Sequence, residues 1–220
     1  MSNQKSEHQR KVAEGPIRNK ERTKQKMIDA VGEVLKEKSY AGLTMNNIVK
    51  KANVDRKLVV HYFGNLNNLI EEYLNSRDYW MTKVAPKVRE IAATSEKNLG
   101  EKEIVQILHT LYDAVDGSAD LQKMILWQIS EYNENLSALL ENREKLGEPL
   151  FKATDVDFKN TDIDLRAILA VQIAGIYYLN LQSKSNNVAF CEVNLGTEEG
   201  TRRIKDAVAK MIQLVYQQRK

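Results

Sequence analysis

Residues 44–63 read TMNNIVKKANVDRKLVVHYF, and this stretch divides into two short helical segments with a tight corner between them. Thr44 is an N-cap residue type, whose side-chain oxygen satisfies one of the free amides that open a helix. The helix it opens, 45–52, turns Ile48, Val49 and Ala52 inward. Asn53 stands at the corner, and asparagine is the best substitute for glycine in a left-handed conformation. Asp55 caps a second helix that runs from Arg56 to about Tyr62 and ends before Gly64. Ile48, Ala52, Val54, Val59 and Tyr62 then occupy the inward places where the two helices touch, with the small Ala52 near the crossing.

Working outward toward the N-terminus, Asn19 is a plausible cap for a helix over 20–38, because Met27, Ile28, Val31, Val34 and Leu35 share one face. Ser39-Tyr40-Ala41-Gly42 breaks it. Residues 1–18 are polar, contain Gly15-Pro16 and show no apolar periodicity, so they read as a flexible basic arm. A supporting helix followed by two short ones joined at a tight turn makes a helix-turn-helix, in which the last helix enters the major groove of DNA.

Toward the C-terminus the segments lengthen. Asn65 caps a helix over 66–85, with Leu66, Leu69, Ile70, Tyr73 and Leu74 inside and Pro86 where it stops or kinks. Segments near 101–116, 118–132 and 134–153 carry apolar residues at three and four spacing. Asp162 to Lys184 is apolar around much of its circumference, and after a polar loop at about 185–196 a last amphipathic helix runs from Thr197 to Gln218. The expected architecture is all-α: a flexible arm (1–18), a helix-turn-helix domain (19–65) and a C-terminal helical bundle (66–220).

Composition agrees with this division. Three prolines and ten glycines in 220 residues leave room for long helices, and no run of apolar residues is long enough to span a membrane. With no export signal core at the N-terminus, the cytoplasm is the expected compartment. Cys191 is the only cysteine, which excludes an intrachain disulfide or a multi-cysteine metal site and reads as a buried or idle thiol. The net charge of +3 conceals an asymmetry: residues 1–63 hold 14 Lys/Arg against 7 Asp/Glu, whereas the remainder holds 19 against 23. A small basic module is what a phosphate backbone requires.

Along residues 20–70 the sequence resembles the TetR (tetracycline repressor) family. The resemblance is carried, in the family's order, by Tyr40, Thr44, Ile48, Ala52, Val54, Tyr62, Phe63 and Leu69. It departs at Asn53, where the family usually has glycine, at Lys57, often a small residue, at Val60, commonly an aromatic, and at Leu66, usually a phosphate-contacting lysine. The resemblance implies a DNA-binding transcriptional regulator, a homodimer on an inverted-repeat operator, and a repressor released by a small-molecule effector.

Within that frame Arg56 and Lys57, at the start of the reading helix, suit guanine O6 and N7, while Leu58 or Val60, if outward, touches thymine methyls. Thr44, Lys50, Lys51, His61 and Tyr62 suit the DNA backbone. Candidate effector-pocket residues are Tyr73, Trp80, His109, Tyr112, Trp127, Tyr132 and Tyr177; aromatic residues at helical spacing equally describe an ordinary core. Candidate dimer contacts are Ile168, Gln172 and Ile176 on the penultimate helix and Ile204, Val208, Met211 and Val215 on the last, forming a four-helix bundle across a two-fold axis, with an intrachain core as the alternative.

No metal cluster, glycine-rich phosphate loop or nucleophile elbow occurs, and the adjacent pairs Glu71-Glu72 and Glu198-Glu199 diverge on a helix. No enzyme activity, cofactor or metal is expected. The competing reading is a dimeric helical ligand-binding or adaptor protein that has lost specific DNA binding, with Val60 and Leu66 as its signs.

Overall fold

The computed structural model describes residues 16–86, Arg89, 100–186 and 188–219; of the arm expected at residues 1–18, residues 1–15 lie outside them and 16–18 belong to the first helix. The first helix, α1, spans Pro16–Lys38 and so begins before the expected start at 20. Proline opens it without loss, since the first helical amide has no partner in any case. A single 3-10 turn, Tyr40–Gly42, follows. Gly42 is required there because a Cβ would lie 2.3 Å from the Cβ of Lys38.

Helix α2 (Met45–Ala52) is capped by Thr44, whose hydroxyl accepts from the Asn47 amide, and ends at Asn53 in the left-handed region with φ 49°. Helix α3 (Arg56–Phe63) is capped by Asp55, whose carboxylate accepts from the Lys57 amide at 2.7 Å. Helix α4 (Leu66–Arg77) is capped by Asn65.

Residues 66–85 do not form one helix. The chain breaks at Asp78 and resumes in a π-helical turn, Trp80–Val84. At the break the Asp78 carboxylate accepts from the Met81 amide at 2.9 Å, in competition with the helical ladder, and it also binds the distant Arg143.

The larger part comprises α5 (Glu101–Gly117), α6 (Ala119–Ser130), α7 (Glu134–Phe158), α8 (Leu165–Asn186) and α9 (Glu198–Gln217). Helix α7 runs through Pro149, which removes one rung of the ladder, and extends past the expected end at 153. Helix α9 is capped by Thr197, and Gly200 sits so close to the Asn194 carbonyl that a Cβ would fall 1.8 Å from its oxygen. Among the described residues the only β-type pairing is the bridge Phe190–Val193, closed through Cys191 and Glu192 at positive φ. Cys191 is exposed there rather than buried.

Two apolar cores result. One is formed by Met27, Val31, Val34 and Leu35 of α1 with Ile48, Ala52, Val59, Leu69, Tyr73 and Leu74, and it is closed by Met124, Trp127, Leu136 and Leu139 of α6 and α7. The other joins α5, α6, α8 and α9 through Leu108, Leu111, Tyr112, Ile125, Ile176, Val208 and Ile212. Helix α4 therefore belongs by packing to the small helical unit while α7 rests against it.

Candidate functional site

Two places in this fold concentrate chemistry. The first is the outer face of α3. At 100° per residue, Arg56, Lys57, Val60, His61 and Gly64 fall on one continuous arc, and all five are exposed. The opposite arc is anchored: Val59 is fully buried, with Leu58, Tyr62 and Phe63 half-buried beside it. Of the two candidates for methyl contacts, Val60 points outward at 50% exposure and Leu58 turns into the core.

Short helices need caps to persist, and α3 has one at each end. The Asp55 carboxylate opens it, and its negative charge also suits the positive N-terminus that Arg56 and Lys57 disfavour. Gly64, at φ 81°, closes it, its amide bonding the Val60 carbonyl. The Asn68 amide group then donates to the Phe63 carbonyl at 2.8 Å, tying α3 to α4.

The residues expected on the DNA backbone are distributed around this arc. Lys50 is exposed at the end of α2. Lys51 is not a free cation, because its ammonium is paired with Glu37 of α1. The Thr44 hydroxyl is engaged as the α2 cap. Tyr62 lies half-buried with the Lys20 ammonium 6.0 Å above its ring, and His61 packs against it at 4.9 Å between ring centroids.

The second place is a partly open cavity of about 920 Å³ bounded by the π-turn and α5, α6, α7 and α8. Its walls are chiefly aliphatic, with Trp80, Phe151, Tyr177 and Tyr178 as the aromatic part. Polar groups gather where Trp80, Gln128, Arg143 and Tyr177 meet. The Trp80 indole donates to the Tyr177 hydroxyl at 2.8 Å, and Arg143 Nη1 donates to Gln128 Oε1 at 3.1 Å. Arg143 Nη2 forms an ion pair with Asp78, whose side chain is completely buried. Burial raises the Tyr177 phenol above its ordinary pKa, so it stays a neutral donor.

Of the seven aromatic and histidine residues expected in a pocket, this cavity uses Trp80 and Tyr177. The other five stand elsewhere, each with its own partner or surroundings. Tyr73 is sealed in the core of the small unit against Gly32, where an added Cβ would come within 2.9 Å of its ring. Trp127 stacks on Tyr40 with centroids 6.1 Å apart. His109 and Tyr112 face α9: the first bonds the Lys205 carbonyl at 2.9 Å, and the second lies 3.5 Å from the Thr201 hydroxyl. Tyr132 is 82% exposed and lines a separate, shallow depression beside Asn133.

Sequence reasoning missed Asp78, Gln128 and Arg143. A signal existed for two of them: Arg143 follows Leu136, Leu139 and Leu140 at helical spacing, and Asp78 follows Ile70 and Leu74. Each is a charge in an apolar phase, and they have opposite signs.

The expected dimer contacts divide into two groups. Gln172, Ile176 and Val208 are buried within the chain's own core, because α8 and α9 turn those faces toward α5. Ile168, Ile204 and Val215 are half-buried and Met211 is 45% exposed, beside two further exposed apolar residues, Val171 at 73% and Leu214 at 49%.

Comparison with known proteins follows the same lines. No curated protein matches the sequence. A protein of Clostridium perfringens assigned as a fatty acid metabolism regulator superposes with a TM-score of 0.62 at 13% identity, over 85% of this chain and 96% of its own. The transcriptional regulator FadR of Bacillus subtilis, solved in complex with stearoyl-CoA, gives 0.59 at 16% identity over 86% and 96%. NalD of Pseudomonas aeruginosa, the secondary repressor of the MexAB-OprM multidrug efflux pump, gives 0.59 at 15% identity over 87% and 96%. Residues 27–73, from the core of α1 to the middle of α4, match the profile of the bacterial regulatory proteins of the tetR family. Among the described residues, no helix is long and apolar enough to cross a membrane. With the capped α2 and α3 and the left-handed Asn53 between them, residues 27–73 form a helix-turn-helix unit that matches the tetR-family model, and the helical bundle behind it shares the fold of these solved regulators.

Proposed function

We propose that this protein is a one-component transcriptional repressor that binds an inverted-repeat operator as a homodimer and is released by a small molecule held in the α5–α8 cavity. The observation that carries the reading is the α3 surface: Arg56, Lys57, Val60 and His61 face solvent along one arc while Val59 fixes the opposite arc in the core. Two cations at the start of a helix, followed by an outward valine, offer donors for guanine edges and a methyl surface for thymine. Lys20, Lys50 and Tyr62 flank them as groups for phosphate.

Half-site contacts from one eight-residue helix are weak, so two copies are required. The exposed apolar residues Val171, Met211 and Leu214, with Ile168, Ile204 and Val215, provide a surface for pairing α8 and α9 with their symmetry mates. A cavity of about 920 Å³ is within the size range of small-molecule sites, and the structurally similar FadR of Bacillus subtilis was solved with stearoyl-CoA.

The test is fluorescence anisotropy with labelled fragments from upstream of the protein's own gene, over a series of salt concentrations. The reading requires affinity in the roughly nanomolar range for one fragment, loss by orders of magnitude for scrambled sequence, and a steep fall with salt. Equal affinity for all fragments, or none, contradicts it.

A further inference from the structure

The polar wall of the cavity is unbalanced in a way that specifies its ligand. Trp80 and Tyr177 are joined through the indole N–H, which occupies a lone pair of the hydroxyl and leaves the phenolic proton without an acceptor among the described residues. Arg143 donates through Nη1 to Gln128 and through Nη2 to Asp78, but its Nε–H is buried with no partner, on a side chain only 9% exposed. On the acceptor side, Asp78 receives Arg143 on one oxygen and the Met81 amide on the other. The unmet capacity of Arg143 and Tyr177 is donor capacity. An oxygen acceptor on an entering molecule therefore meets the unused donors of this wall, whereas an ammonium meets the positive charge of Arg143.

Away from this wall and the rim the lining is chiefly apolar. Ile104, Ile107, Leu146, Leu150, Leu169 and Ile173 form an aliphatic lining. At the rim, charges of both signs occur, and Glu148 and Arg166 are already paired with Lys152 and Asp155. The rim therefore sets no preference of its own.

We infer that the effector is an amphiphile with a long aliphatic body and one terminal carboxylate or carbonyl, whose oxygen is taken by the Tyr177 hydroxyl and the Arg143 guanidinium. The inference rests on the cavity being the effector site proposed above. It also gives the site a route to the DNA. A ligand oxygen on the Arg143 guanidinium shares that cation with Asp78, which sits at the C-terminal end of α4, the helix that packs against α3. Such a ligand favours one setting of α4 over another, which is the condition for an effect on DNA binding.

Calorimetric titration of the full-length protein with palmitate, methyl palmitate and hexadecyltrimethylammonium tests this. The expected result is saturable binding of palmitate, of its ester or of both, weakened roughly tenfold by Tyr177→Phe, with the ammonium compound bound at least that much more weakly. Binding of the acid alone assigns a carboxylate; binding of both assigns the carbonyl oxygen. Tyr177→Phe preserves the ring and is used because Arg143→Gln leaves Asp78 buried without its partner. Equal affinity for the ammonium compound, no effect of Tyr177→Phe, or no saturable binding of either oxygen compound overturns the inference. Operator binding is measured on the same samples. Palmitate that binds without altering operator affinity leaves the anchor standing and removes the regulatory reading. Intact operator binding with no palmitate site does the reverse.

Discussion

Replacing Asp78 by asparagine removes one charge from the middle of the fold with almost no change in shape. Asp78 is completely buried and Arg143 only 9% exposed, so neither charge has water to fall back on once its partner is gone. At an effective dielectric constant of about 20, two unit charges roughly 4 Å apart attract by about 4 kcal/mol. Breaking a buried pair by removing one member costs about 3 to 5 kcal/mol. The substituted side chain still offers one carbonyl oxygen, but it can serve the Met81 amide or Arg143 and not both in the present arrangement, while its amide group presents donors to a guanidinium. We therefore expect Asp78→Asn to lose about 3 to 5 kcal/mol in urea denaturation followed by circular dichroism at fixed protein concentration. Adding Arg143→Met should recover at least about 2 kcal/mol, because a buried pair replaced as a whole costs little. A loss below about 1 kcal/mol for the single variant, or no recovery in the double, refutes the claim that the pair is desolvated and mutually dependent.

Other consequences are smaller in scale. Asp55→Ala removes the cap of α3 and should cost about 1 kcal/mol in the same denaturation assay while weakening operator binding, since the reading helix frays at the end bearing Arg56 and Lys57. Lys50→Ala should reduce the slope of log affinity against log salt by about one and leave base preference unchanged, as measured by anisotropy across a salt series. Burial raises the Tyr79 phenol to about 12, and its hydroxyl donates to the Ile107 carbonyl at 3.1 Å. The unfolded chain loses that proton near pH 10 and the folded chain retains it, so stability present below pH 10 declines as pH rises toward 12. Tyr79→Phe should make that alkaline decline shallower in denaturation curves taken between about pH 9 and 11.

The helix-turn-helix was legible because its signals are local. Thr44, Asp55, Asn65 and Thr197 cap helices where their side chains reach amides two or three residues ahead, and Asn53 takes the left-handed corner within the same short stretch. The break at Asp78 was not legible in this way. Its buried charge depends on Arg143, 65 residues away, and a helical pattern in the sequence contains no record of that partner. The cavity was hidden for a related reason. Aromatic residues mark places where something large is buried, and five of the seven candidates are packed against Gly32, Tyr40 or α9, or lie exposed, while the wall itself is built from ordinary leucines and isoleucines. Opposite charges in the apolar phase of α4 and α7 were the better guide to the site.

The α3 surface is tested most directly by selecting bound duplexes from random sequence with the wild-type protein and with Arg56→Ala. The wild type should enrich an inverted repeat whose half-sites are spaced by about one helical turn or a multiple of it. The variant should enrich the same repeat with preference relaxed at one position per half-site, at a cost of about 1 to 3 kcal/mol. An enriched sequence without two-fold symmetry, or an identical preference from both proteins, would contradict the assignment of α3 as the helix that reads DNA.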